Sequence, residues 1–222
     1  MRNVIQCTHE RWPKPKMKKQ LYSLMLNDDI VREVDRLAHL NGTNRSNYVN
    51  RILAEYVNMT TPERRVNDIF EAVGRLLEPM PELVPFFNPN ASTFSLKSAL
   101  VYKYRPTVRY EVELHRGDSP ALGTLSVIFR TQSQTLIADM TRFFRLWKAI
   151  EDRYLEEKPV YALYDGRLTR ELPAPKREGT TQELAESIAS YIGLFDRCLK
   201  GSISGQMSDA DVEKAWLARF RK

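Results

Sequence analysis

The residue types that do chemistry are sparse in this chain and poorly spaced for it. Its 222 residues hold three histidines, His9, His39 and His115, and no two stand at metal-ligand spacing. The two cysteines, Cys7 and Cys198, are far apart and form no CxxC pair, which implies reduced thiols, a cytoplasmic setting and no disulfide framework. There is no Gly-x-Ser-x-Gly elbow, no P-loop and no glycine-rich dinucleotide loop. Acid pairs occur at Glu111/Glu113 and Glu156/Glu157, but a solvated strand face and a helix end account for them better than a catalytic dyad. Arg116-Gly117-Asp118 looks like an adhesion tripeptide, and chance explains it better in a reduced chain without a signal peptide. The expectation is a protein that is not an enzyme and carries no cofactor and no metal.

What the chain does offer is positive charge at its start. Residues 1–20 hold Arg2, Arg11, Lys14, Lys16, Lys18 and Lys19 against the single acid Glu10. The net charge of the whole chain is +6 and its pI about 9.3, so most of the excess sits in this arm. Pro13 and Pro15 keep RWPKPKMKK out of regular helix. A flexible basic arm over residues 1–17, suited to a polyanion, is expected.

The elements that must position such an arm follow at once. Gln20 to Leu26 alternates as a short strand, with Leu21, Ser23 and Met25 on one face and Tyr22, Leu24 and Leu26 on the other. Asn27 is a helix N-cap followed by Asp28 and Asp29, and Ile30, Val34, Leu37 and Ala38 recur at helical spacing. Asn41-Gly42 stops that helix, and Asn44 caps a second one with the stripe Tyr48, Val49, Ile52, Leu53, Tyr56 and Val57. A unit this small cannot bury a sufficient core, and its lone strand has no partner nearby in its own chain. A second copy solves both problems, through antiparallel pairing of two strands and interleaving of four helices.

The stretches LMLNDDIVREVDRLA and NGTNRSNYVNRIL resemble the ribbon-helix-helix family, the Arc/MetJ/CopG class of DNA-binding proteins. That family usually shows Leu-Pro-x-x-Leu in the first stretch and Gly-x-Ser/Thr-Arg-Ser-x-x-Ile/Val in the second. Here Asn27 stands for the Pro and Asn44 for the Ser/Thr cap, and both keep a helix start. The resemblance covers about the first quarter of the chain.

It implies a homodimer, or a higher homo-oligomer, whose two-stranded ribbon enters the major groove of double-stranded DNA. Leu21, Ser23 and Met25 would then face the bases. Asn44, Arg45, Ser46 and Asn47 at the start of the second helix would hold a phosphate, with Lys18 and Lys19 beside them and the arm residues Arg11, Lys14 and Lys16 along the backbone. Family members usually carry polar or basic residues on the ribbon face, whereas Leu21 and Met25 are apolar. Either Ser23, thymine-methyl contacts and DNA shape supply specificity, or the face serves protein binding.

The remainder divides near Asn58–Pro62, giving a DNA-binding unit over 18–58 and a second unit over 62–222. Thr60 and Glu63 have capping-box spacing around Pro62, and Val66, Ile69, Phe70, Val73, Leu76 and Leu77 form one helical stripe ending near Glu78. PMPELVPFFNPN is expected to be irregular, with Leu83, Val84, Phe86 and Phe87 tucked into a core. Thr107 to Leu114 alternates as a strand, Leu122 to Arg130 returns, and an earlier strand is expected around Leu100–Tyr104. Tyr102, Tyr104 and Tyr110 with Lys103, Arg105 and Arg109 resemble a basic–aromatic surface, although ordinary strand composition explains them better.

Ser133 caps a long helix to about Tyr154, Asp165-Gly166 makes a hairpin, and PAPKREGT is a loop. Helices over Thr181–Leu199 and Asp209–Phe220, the latter capped by Ser208, complete an α+β fold with a mainly antiparallel sheet and flanking helices. No apolar run reaches membrane-spanning length. The functions in view are a transcriptional repressor, an accessory DNA-binding protein for plasmid partition, copy control or conjugation, and an antitoxin-like subunit with a protein partner. The second unit would supply oligomerisation, partner contact or effector sensing.

Overall fold

Four side chains of one strand organise the larger part of the molecule. Alternation over Thr107–Leu114 sends Val108, Tyr110, Val112 and Leu114 to one side of the pleat, and all four are buried. The computed structural model describes residues 20–59, 61–86, 93–102, 105–115, 119, 121–164, 166–174 and 179–220. Its strands are β1 (Leu83–Pro85), β2 (Thr93–Ala99), β3 (Thr107–Leu114), β4 (Ala121–Phe129), β5 (Tyr161–Tyr164) and β6 (Arg167–Pro173). They form one six-stranded sheet in the order β1-β2-β3-β4-β6-β5, and every pairing is antiparallel. The helices are α1 (Asp28–Leu40), α2 (Arg45–Tyr56), α3 (Pro62–Leu77), α4 (Gln134–Tyr154), α5 (Thr181–Ile203) and α6 (Asp209–Phe220). The α+β class with an antiparallel sheet therefore holds.

Aromatic contacts place α3, α4 and α5 on the same face of the sheet. Phe70 of α3 stacks on Phe94 of β2, Phe195 of α5 meets Tyr110 of β3 edge-on, and Phe144 of α4 meets Phe129 of β4. Trp147 lies 4.8 Å from Phe195 between α4 and α5. The last helix, α6, covers these two through Trp216 against Tyr154 and Phe220 against Tyr191. The opposite face of the sheet carries Arg109 paired with Glu111 and Arg167 bonded to Ser126. One face is thus core and the other polar, as the alternation requires.

Three polar contacts tie the helices to the sheet from inside. Arg170 of β6 makes a two-pronged pair with Glu151 of α4, with Nε 2.8 Å from Oε2, and both are buried. The same guanidinium lies 4.5 Å over the Tyr191 ring. The Tyr110 hydroxyl donates to Asp196 at 2.9 Å, and Lys200 completes that carboxylate from 2.6 Å. Isolated charges could not sit there, since only pairing offsets their desolvation.

Several boundaries differ from expectation. The first sheet strand of the sequence reading lies at Thr93–Ala99, not at Leu100–Tyr104. The Leu100 N–H bonds the Pro106 carbonyl, between that strand and the one that starts at Thr107. Within the proline-rich stretch, Leu83–Pro85 pairs with Ser98–Leu96 as an edge strand, the position where proline is tolerated. Leu83 is buried there, whereas Val84 and Phe86 are exposed; Phe87 lies outside the described residues.

The cap of α3 is Thr61, which accepts from the Arg64 N–H, and Thr60 lies outside the described residues. Helix α5 runs four residues past Leu199, to Ile203. Tyr110 is fully buried, so it belongs to no surface; Lys103 and Tyr104 lie outside the described residues. Gly123 has a close-packing role, because a Cβ there would lie 2.1 Å from the Glu113 carbonyl oxygen.

The core sets an alkaline limit to stability. Burial, reinforced by the Asp196 carboxylate, holds the Tyr110 hydroxyl well above the usual phenol range. Burial likewise raises Tyr191 and pushes the Cys198 thiol up to about 11. The folded state thus keeps protons that the unfolded chain releases near its ordinary values of 9.0 and 10.0. Stability is full below those values and falls as pH rises through them, by up to about 1.4 kcal/mol per pH unit for each group. The urea midpoint is expected to hold between neutral pH and about pH 9, then drop steeply towards about pH 10.5. A midpoint unchanged across that range contradicts this.

Candidate nucleic-acid interface

Two asparagines build the amino-terminal unit. Asn27 has extended backbone, and its side chain accepts the Asp29 N–H at 3.1 Å, which starts α1 with Asp28 and Asp29 in its first turn. The helix ends where Gly42 turns to φ +60, a conformation that costs any residue with a Cβ. There the Gly42 N–H bonds the His39 carbonyl and the Thr43 N–H bonds that of Ala38, at 3.0 and 2.9 Å. Asn44 is extended again, and its Oδ1 accepts the Asn47 N–H at 2.9 Å to open α2. That helix closes on Asn58, at φ 55, with the Met59 N–H on the Ala54 carbonyl. Both caps and the Gly turn stand where the residue types place them.

The expected base-facing residues Leu21, Ser23 and Met25 are all exposed. Gln20–Leu26 make no ladder with any described part of the chain, and the strand expected there is not formed among the described residues. Exposure within the segment alternates as its residue types do. Leu21 and Met25 are 97% and 103% exposed, whereas Tyr22, Leu24 and Leu26 fall to 76%, 66% and 48%.

Around the start of α2, Arg45, Ser46 and Asn47 are brought together at the surface by the Asn44 cap. The cap occupies the Asn47 N–H. The Arg45 and Ser46 N–H groups belong to the first turn, which has no intrahelical acceptors for them. Lys18, Lys19, Arg11, Lys14 and Lys16 lie outside the described residues.

Sequence reasoning missed one partner of this site. The Arg45 guanidinium is held by the Asp35 carboxylate of α1, with Nε 2.6 Å from Oδ1 and Nη2 on Oδ2. The hydrogen bond from Arg45 draws the Asp35 carboxyl below the usual carboxylate range, and the same bond raises Arg45. No local pattern announces a pair ten residues apart across a turn. Arg51 also reaches back, bonding Asn41 at 3.2 Å while lying 4.7 Å over the Tyr48 ring. The turn between the helices is thus braced by two arginines of α2.

Among the described residues the other chemistry-bearing side chains do not converge. His39 is exposed on α1, and His115 contacts Ser119 at 2.9 Å. Among the described residues no three of His, Cys, Asp and Glu group as metal ligands, and no helix is long and apolar enough to cross a membrane. No family model, no curated protein and no solved structure matches this chain.

The Asn44 cap carries a measurable share of α2. Asn44→Ala is expected to cost about 1 kcal/mol of local stability, and Asn44→Ser to restore most of it. Amide exchange at Asn47 reads this directly. Equal exchange in wild type and Asn44→Ala would remove the cap from the account.

Proposed function

We propose that this protein binds double-stranded DNA as a homodimer, with residues 20–26 of two copies pairing antiparallel into a ribbon that lies in the major groove. One observation carries this. Between Leu21 and Met59 twelve large apolar side chains are exposed, while Ala38 and Tyr48 are the only apolar ones buried there. A surface of this kind on a soluble unit marks an interface. A second copy of the same unit offers the matching surface and a strand partner, since Gln20–Leu26 pairs with no described strand and has Tyr22, Leu24 and Leu26 on its less exposed side.

The ribbon so formed turns Leu21, Ser23 and Met25 outward. Ser23 supplies a donor and an acceptor, and the two apolar residues suit thymine methyl groups, so DNA shape carries much of the preference. The start of α2, at Asn44, Arg45, Ser46 and Asn47, approaches a phosphate, and the basic arm with Lys18 and Lys19 follows the backbone. A symmetric dimer reads a short palindromic or repeated site. Occupying such a site blocks other proteins from it, which makes repression of transcription the simplest consequence. Selection of bound duplexes from a random pool, followed by titration against salt, tests the proposal. Retention of no duplex above background at low salt refutes it.

Arg45 and Asp35 are expected to move affinity in opposite directions. Arg45→Ala weakens binding to all duplexes alike and flattens the salt dependence by about one unit of slope. Asp35→Asn removes the carboxylate that competes with phosphate for the guanidinium, and tightens binding about fivefold at low salt. A slope unaltered by Arg45→Ala takes Arg45 off the phosphate. Weaker binding by Asp35→Asn would make the acid a positioning group rather than a competitor.

Leu24→Asp places a charge in the paired face of the ribbon. It is expected to give the 25.8 kDa mass of one chain by light scattering at concentrations where the wild type shows twice that, with DNA binding lost alongside. A variant that stays dimeric and binds normally would show that residue 24 lies outside the interface.

A further inference from the structure

A cleft of about 590 Å³ opens in the second unit, within the size range of small-molecule sites. One wall is a single face of α5, where Ser190, Gly193, Leu194, Arg197, Lys200 and Gly201 recur at helical spacing. Met80 and Glu82, after α3, Met207, after α5, and Arg219 of α6 complete the lining. None of these residues takes part in the DNA contacts proposed above, and the cleft can be tested independently of them.

Charge and partnering decide what the cleft suits. Three cations, Arg197, Lys200 and Arg219, face two carboxylates, Glu82 and Asp196, which leaves one positive charge uncompensated. Lys200 is committed to the buried Asp196, whose other bond comes from Tyr110. Arg219 is bonded to Ser190. Arg197 is exposed and, among the described residues, forms no hydrogen bond or ion pair. The spare group is therefore one guanidinium fork, which matches a carboxylate.

The apolar part of the lining is Leu194 with Met80 and Met207. Each methionine lies over bare glycine backbone: a Cβ at Gly193 would be 2.9 Å from the Met80 sulfur, and one at Gly201 would be 2.5 Å from that of Met207. Unbranched thioethers over glycine are adaptable packing, able to shift and admit an apolar body. We propose that this cleft binds a small organic monoanion, its carboxylate held by Arg197 beside Arg219 and its alkyl or aryl body lying on Met80, Leu194 and Met207. A doubly charged phosphate ester suits the single spare charge less well.

Calorimetric titration of the full chain with octanoate, phenylbutyrate and indoleacetate, each beside its amide, tests this. Saturable binding of at least one carboxylate is expected, about tenfold weaker for the matching amide and about tenfold weaker for Arg197→Gln. Because Arg197 is exposed and unbonded, the variant is expected to melt with the wild type, and the melt is recorded beside each titration. No saturable binding by any of the three carboxylates up to about 10 mM overturns the proposal. So does an amide that binds as well as its acid, or an undiminished affinity in Arg197→Gln.

Discussion

The large apolar side chains exposed between Leu21 and Met59 find no covering surface among the described residues. Helix α1 turns Ile30, Val34 and Leu37 to the same side as Ala38, and α2 turns Tyr48, Ile52 and Leu53 towards it, yet two helices with no sheet beneath them cover little of one another. A large apolar side chain gains about 1.5–3 kcal/mol when it leaves water, so covering about half of the exposed set returns on the order of 10 kcal/mol per chain. The backbone of Gln20–Leu26 adds a second demand: it pairs with no described strand, which leaves its N–H and C=O groups open to a partner strand. In the proposed dimer one partner meets both demands. That is why a self-complementary dimer fits better here than an unrelated protein, which would have to supply a strand and an apolar face in matching register.

The second unit has the opposite character. Its sheet is covered on one face by α3, α4 and α5, and the large side chains Trp147, Tyr110, Phe143 and Phe195 are fully buried. Its buried charges are matched, Arg170 with Glu151 and Asp196 with the half-buried Lys200. Breaking one member of such a set leaves a bare charge in the core, which makes these contacts selective for one packing of helix on sheet. A unit that satisfies itself in this way is suited to serve as a rigid body, and its cleft against α5 is framed by elements that the core already holds in place.

Local signals carried the reading furthest where one residue type has one physical role. Asn27, Asn44 and Ser133 cap the helices that follow them, and Gly42 and Gly166 take positive φ in turns. Strand β3 was legible because its alternation is uninterrupted. Strand β2 was not, because Ser95 and Ser98 are buried on opposite faces and blur the alternation that Phe94 and Leu96 begin. Helix α5 runs past the expected end at Leu199 and through Gly201, over whose bare backbone Met207 packs. The Arg45–Asp35 pair and the cleft around Arg197 depend on contacts between residues distant in sequence, for which no local spacing is a signal. The expected ribbon strand is a separate case. Its alternation is plain in residues 20–26, yet they join no sheet among the described residues, and a strand needs another to pair with.

Amide hydrogen exchange along Gln20–Leu26, followed as a function of protein concentration without DNA, tests the central claim most directly. Pairing with a second copy predicts protection at alternate backbone N–H groups that rises with concentration and saturates as the dimer fills. Exchange at the rate of a free peptide at every concentration, while the second unit remains protected, would contradict it.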